Sequence, residues 1–120
     1  MIQDLNHLGF MDISVGGFSM GGHLAIHSVY RKQLKVSKCF AISSYLVRES
    51  SVFSADIKSK DVPLLLCHGD SDPVVPKDWA EICHKQFQRK NINSSLIIYK
   101  GLEHEIRSDV IGDVFKWIEI

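Results

Sequence analysis

The stretch Gly16-Gly17-Phe18-Ser19-Met20-Gly21-Gly22 follows a largely apolar run, Met11-Asp12-Ile13-Ser14-Val15, and opens a segment of helix-forming composition. Ser19 therefore falls where a strand must turn sharply into a helix. Such a turn leaves no room for side chains on its flanks, and glycines on both sides let the backbone bend without a Cβ clash. A serine at its apex is lifted off the sheet, and the amide that follows it is left free to bind an anionic oxygen. A strand, a sharp glycine-flanked turn at a serine and a helix in that order make a nucleophile elbow.

The rest of the chain fits a parallel sheet. Residues Asp4 to Gly9 read as the tail of a helix ending at glycine, and Met11 to Phe18 as a strand with Met11, Ile13 and Val15 on one face. Asp12 and Ser14 on the other face depart from the two-sided apolar pattern of an interior strand. Met20 to Tyr30 suits a helix, Val36 to Ile42 a strand, and Ser43 to Lys60 a polar loop with a helical turn. Val62 to Cys67 forms a third strand, with Pro63 tolerable only near its beginning. Lys77 to Lys90 is helical, led by Pro76 and carrying Trp79, Ile82, Cys83 and Phe87 at helical spacing. Ser95 to Tyr99 is a fourth strand. A final helix carries Ile106, Val110, Ile111, Val114, Trp117 and Ile118 as one stripe. Trp79 and Trp117 are expected in the core by the same spacing. Strands alternating with helices predict βαβ crossovers, a mostly parallel sheet flanked by helices, and a single domain over residues 1–120.

Charge and cysteine usage exclude several classes. Acidic and basic residues balance at 14 each and are interspersed, which argues against nucleic-acid binding and against a polybasic membrane patch. No apolar run approaches the roughly 20 residues of a spanning helix, and the first residues do not form a basic-then-apolar leader, so no stable membrane insertion is expected. Cys39, Cys67 and Cys83 are odd in number and lie in apolar segments, as reduced buried thiols do, which points to a cytoplasmic protein.

A serine hydroxyl is a weak nucleophile. It needs a base within hydrogen-bond reach, and the base needs a carboxylate to hold its tautomer and stabilise its charged form. Both must come from loops at the same sheet edge. The loop after the third strand, His68-Gly69-Asp70-Ser71-Asp72-Pro73-Val74-Val75-Pro76, offers Asp70 and Asp72, which sequence logic does not separate; either could instead cap a turn before the proline-led helix. The loop after the fourth, Gly101-Leu102-Glu103-His104-Glu105, offers a histidine. The order serine, aspartate, histidine is that of an α/β-hydrolase. His23 and His27 lie one helical turn apart but lack a third metal ligand, so no metal site is expected. His7 and His84 read as solvated, His68 as the end of a strand, and the three cysteines as core thiols.

Three blocks, Gly16 to Gly22, Cys67 to Pro76 and Gly101 to His104, together resemble the motifs of the acyl-protein thioesterase and lysophospholipase-like carboxylesterases, which belong to the α/β-hydrolase superfamily. Met20 stands where acyl-protein thioesterases typically have glutamine, which places the chain nearer the lysophospholipase-like branch. The resemblance implies Ser19 as nucleophile, Asp72 as the triad carboxylate, His104 as general base, and the Met20 backbone N–H as an oxyanion donor. It implies hydrolysis of carboxylic esters or thioesters through an acyl-enzyme, with no cofactor and with S-acylated proteins or lysophospholipids among the substrates. In that family several strands and a second oxyanion donor precede the serine. The chain is thus expected to correspond to a carboxyl-terminal part of the fold, with the elbow strand at an edge, and the alternative to an active hydrolase is a fragment that keeps the triad without turning over.

Overall fold

The computed structural model describes residues 12–47, 50–54 and 57–120. Within them the chain runs β1 (Ser14–Phe18), α1 (Met20–Ile26), β2 (Lys38–Ile42), a single helical turn α2 (Ser51–Ser54), β3 (Leu64–Gly69), α3 (Lys77–Arg89), β4 (Ser94–Tyr99) and α4 (Ser108–Ile118). The four strands form one sheet in the order β1-β2-β3-β4, every pair parallel. The helix tail expected over Asp4 to Gly9, and Met11, lie outside the described residues.

Each element follows from local chemistry, with several shifts at the ends. β1 begins at Ser14, so Asp12 and Ile13 precede the strand and Asp12 is exposed. That removes one of the two polar residues from the sheet face; Ser14 remains, half-buried. β3 begins immediately after Pro63, whose missing N–H excludes it from the ladder, and continues through His68 and Gly69. All six of its residues are buried, as two covered faces require. The predicted helix from Met20 to Tyr30 is not uniform: the α-helix ends at Ile26 and a π-helical turn, His27–Arg31, carries the chain on.

Alternation along the strands divides the core in two. Leu64 and Leu66 of β3 face Ile26, Val29, Tyr30, Cys83 and Phe87 from α1, the π turn and α3. Leu65 and Cys67 face the other side, against Tyr99, Val110 and Val114. α4 therefore covers one face while α1 and α3 cover the other. Its apolar stripe is narrower than the spacing predicts. Val110 and Val114 are buried, Trp117 and Ile118 are half-buried, and Ile111 is exposed; Ile106, also exposed, precedes the helix and is not part of its face. Trp79 is likewise not a core residue: it is 42% exposed and packs against the ring of Tyr45, 4.7 Å away. Helical spacing identifies a face but not how much of that face a neighbour covers. The end of α4 is held by Lys38, whose Nζ donates to the carbonyls of Trp117 and Ile118 at 3.0 and 2.7 Å and lies 5.5 Å from the Trp117 ring.

All four strands point the same way, so their carboxyl ends share one edge. The connections leaving that edge carry Ser19, Ser44, the Asp70–Asp72 loop and His104.

Candidate active site

Ser19 occupies a backbone conformation that L-residues rarely adopt, φ 55° and ψ −119°. Strain of this kind costs on the order of 1–3 kcal/mol and persists only where surrounding structure enforces it. Three hydrogen bonds do so. The Ser19 N–H donates to the Ile42 carbonyl at 2.8 Å, and the Ser19 carbonyl accepts from the His23 N–H at 3.1 Å and from Ser44 Oγ at 2.6 Å. The glycines permit the crossing: a Cβ on Gly17 would collide with the backbone of Gly21 and Gly22, and one on Gly22 would collide with Ser44 Oγ.

The structure brings Ser19, Asp72 and His104 into one hydrogen-bonded chain. His104 Nε2 lies 3.0 Å from Ser19 Oγ, and His104 Nδ1 lies 2.8 Å from Asp72 Oδ2. A carboxylate can only accept, so Nδ1 carries the proton and Nε2 presents a lone pair to the serine hydroxyl. The imidazole is half-buried and packs against Phe18, with ring centroids 5.0 Å apart.

Asp72 combines the two roles that sequence logic set against each other. Its Oδ1 caps a turn, accepting the Val74 and Val75 amides at 2.8 Å each, while Oδ2 faces His104. Burial opposes ionisation of this carboxyl, but the Val75 amide, His104 and the Val74 amide together outweigh it and hold the group below the ordinary carboxylate value. Asp70 is exposed and turned elsewhere: Oδ1 accepts the Gly101 N–H at 2.8 Å and the Ser71 hydroxyl at 3.0 Å. With the Asp70 N–H on the Tyr99 carbonyl and the Ser71 N–H on the Leu102 carbonyl, these bonds tie the aspartate loop to the histidine loop. The separation of Asp72 and His104 is thereby set by the ties between the two loops.

The remaining histidines divide differently from expectation. His84 is half-buried rather than solvated, with Nδ1 2.7 Å from Ser94 Oγ, and burial lowers its pKa. His68 is fully buried beneath the aspartate loop, where Nε2 donates to the Val75 carbonyl at 2.6 Å, 3.7 Å from Asp72 Oδ2. His23 and His27 stack with ring centroids 4.7 Å apart. Burial, then the His23, Arg31 and Lys32 charges, lowers the pKa of His27. His7 lies outside the described residues. Cys39, Cys67 and Cys83 are all buried and unpaired.

A cavity of about 480 Å³ opens beside Ser19, walled by Met20, Leu24, Tyr45, Val47 and Val75. Its wall is mostly apolar, and Met20, Leu24 and Val47 are exposed to it or to solvent. A hydroxyl hydrogen-bonded to an imidazole, with a helix-start amide that has no intrahelical acceptor at its side and an apolar cavity beside it, can attack a carbonyl carbon whose substituent is hydrocarbon. Sequence reasoning missed the supporting side chains. Ser44 reaches the site only through a contact distant in sequence, and the one local hint was Gly22, which leaves space for a partner that the sequence does not name; His68, read only as a strand end, supports the loop through Val75, seven residues on.

A family model described as phospholipase/carboxylesterase matches residues 6–120. The chain is 35% identical over 107 residues to acyl-protein thioesterase 1 homolog 1 of Dictyostelium discoideum, covering 88% of this chain and 47% of that protein. It is 29% identical over 109 residues to lysophospholipase-like protein 1 of Mus musculus, covering 88% and 45%. It thus spans about half the length of the relatives it matches. The crystal structure of a phospholipase/carboxylesterase from Dyadobacter fermentans aligns with a TM-score of 0.81 over 99% of this chain and 58% of its own, at 24% identity. The fold is that of the α/β hydrolases.

Proposed function

The chain belongs to the phospholipase/carboxylesterase family, and on that premise we propose that it is a serine hydrolase cleaving carboxylic esters or thioesters through an acyl-enzyme. The observation that carries the reading is the unbroken hydrogen-bonded path from Ser19 Oγ through His104 to Asp72. Ser19 Oγ attacks the substrate carbonyl carbon as its proton passes to His104 Nε2. Asp72 stabilises the imidazolium so formed, and the Met20 N–H faces the oxygen that becomes anionic. Collapse of the tetrahedral species expels the alcohol or thiol, which takes the proton from His104. Water, deprotonated by the same histidine, then releases the acid and restores Ser19. This route uses no metal and no organic cofactor.

The apolar cavity beside Ser19 supports an acyl substrate, and the names of the relatives point to acyl groups on proteins or to lysophospholipids. Three buried, unpaired cysteines favour a reducing compartment, and the cytoplasm is the proposed site of action. No helix among the described residues is long and apolar enough to cross a membrane. A fluorophosphonate probe should label the wild-type chain at Ser19 and spare Ser19→Ala.

A second reading has one observation in its favour: β1, which carries the elbow, is the outermost strand of the described sheet. In that reading the triad is assembled, but this chain does not turn over by itself. A cooperative melt with stoichiometric labelling rules it out; a folded, unlabelled chain favours it.

A further inference from the structure

We propose that Ser44 is a positioning residue for the oxyanion site: its hydroxyl locks the Ser19–Met20 peptide plane so that the Met20 N–H faces the substrate carbonyl oxygen. This rests on the serine-hydrolase reading above. In a trans peptide the C=O and the following N–H point in opposite directions, so whatever holds the Ser19 carbonyl also aims the Met20 amide.

The Ser19 carbonyl is held from two sides. The His23 N–H reaches it at 3.1 Å along α1, and Ser44 Oγ reaches it at 2.6 Å from the end of β2. Both lone pairs are then occupied. Ser44 Oγ has one competing acceptor, the Ile42 carbonyl at 3.2 Å. Each carbonyl already accepts one backbone N–H, so the much shorter contact, 2.6 Å, is what directs the Ser44 proton to Ser19. As the first residue of α1, Met20 has no intrahelical acceptor for its own N–H, so nothing within the helix opposes this orientation. Hydrogen bonding at the carbonyl also polarises the amide and makes its N–H a better donor.

The chain is shaped to deliver this hydroxyl. Ser43 takes a left-handed conformation, φ 56°, immediately after β2, while its N–H still bonds the Cys67 carbonyl. That turn brings Ser44 back over the elbow, where it is 4% exposed. On the facing helix Gly22 leaves the space the hydroxyl fills, since a Cβ there would strike Ser44 Oγ. Two strained non-glycine residues, Ser19 and Ser43, thus meet through one side chain.

The test uses three readouts on wild type, Ser44→Ala and Ser44→Cys, the last keeping the volume with only a weak donor. The first is hydrolysis of a p-nitrophenyl ester. Loss of a whole oxyanion donor costs about a hundred- to a thousandfold, so a misaimed one should lower kcat about ten- to a hundredfold, with KM held within about twofold. Ser44→Cys should fall between. The second is the rate of fluorophosphonate labelling, which should follow kcat. The third does not depend on activity. Ser19–Met20 is the only Ser-Met pair in the chain, so serine labelled at the carbonyl carbon and methionine labelled at the amide nitrogen select that one peptide by NMR. Ser44→Ala should shift the Met20 amide signal and speed its hydrogen exchange. An unmoved Met20 signal, wild-type kcat in a folded Ser44→Ala chain, or a loss of kcat matched by an equal rise in KM would each overturn the assignment. If wild type resists the probe, the hydrolase reading fails, and the Met20 signal still decides whether Ser44 sets the peptide plane.

Discussion

Replacing Asp72 with asparagine changes one atom and should reverse the chemistry of His104. The two carboxylate oxygens have different partners: Oδ1 accepts the Val74 and Val75 amides, and Oδ2 faces His104 Nδ1. An asparagine must keep its carbonyl oxygen towards the two amides, because turning its NH2 there would set donors against donors. The NH2 then faces His104. The imidazole must present a lone pair at Nδ1, so its proton moves to Nε2 and points at Ser19 Oγ, 3.0 Å away. In that tautomer the histidine donates to the serine and cannot accept its proton. Where a triad is forced into the wrong tautomer the rate falls about 10⁴-fold, equivalent to about 5.4 kcal/mol of transition-state stabilisation. Stability should fall far less. The turn keeps both amide bonds and exchanges a charged acceptor for a neutral one, at a cost of about 1–2 kcal/mol. The assay is the second-order rate of fluorophosphonate labelling, read beside the ¹⁵N shifts of the His104 ring, which report the protonated nitrogen. Asp70→Asn is the control, since Asp70 bonds Gly101 and Ser71 and not the histidine. Labelling of Asp72→Asn within tenfold of wild type, or a greater loss in Asp70→Asn, would refute the reasoning.

Gly69→Ala should destabilise by about 1–3 kcal/mol as an overpacked site, because its Cβ would strike the Leu102 carbonyl, a backbone atom that also receives the Ser71 N–H. A thermal melt checks this, and labelling should slow as the histidine loop is displaced. The thiols should resist Ellman's reagent at pH 8 until the chain is unfolded in guanidinium, since burial pushes Cys39 and Cys83 up to about 12 and Cys67 up to about 11. Native reaction at the rate of a free thiol would contradict it. Asp72 has a folded pKa below its unfolded value, so the unfolded chain takes up the proton first. Its contribution to stability is complete above the ordinary aspartate pKa near 3.9 and is lost as pH falls through the depressed folded value. Denaturant melts across pH 2 to 6 should show that decline in wild type and a shallower one in Asp72→Asn.

Much of the site was legible because its chemistry is written in short, contiguous motifs. The turn at Ser19 declares itself through its glycines, of which Gly17 and Gly22 are required by the close crossing and Gly21 is not, and a serine, aspartate and histidine in loops after parallel strands must arrive at one edge. What depended on coverage by other parts of the chain was misread: Trp79, His84, Ile106 and Ile111 lie on predicted helices or loops, yet their burial is set by neighbours distant in sequence. Asp70 and Asp72 show the limit most clearly. They are two residues apart and identical in type, and the family resemblance alone favoured one of them; their different roles arise from which oxygen meets which amide after two loops are tied together by the Gly101, Tyr99 and Leu102 backbone. The sequence by itself determined the order of elements, the parallel sheet and the short set of candidate site residues, because these follow from periodicity, turn chemistry and motif. Only the tertiary structure decided which carboxylate meets the base and which hydroxyl pins the elbow. A hydrogen bond spanning 25 residues, from Ser44 to Ser19, has no local signature.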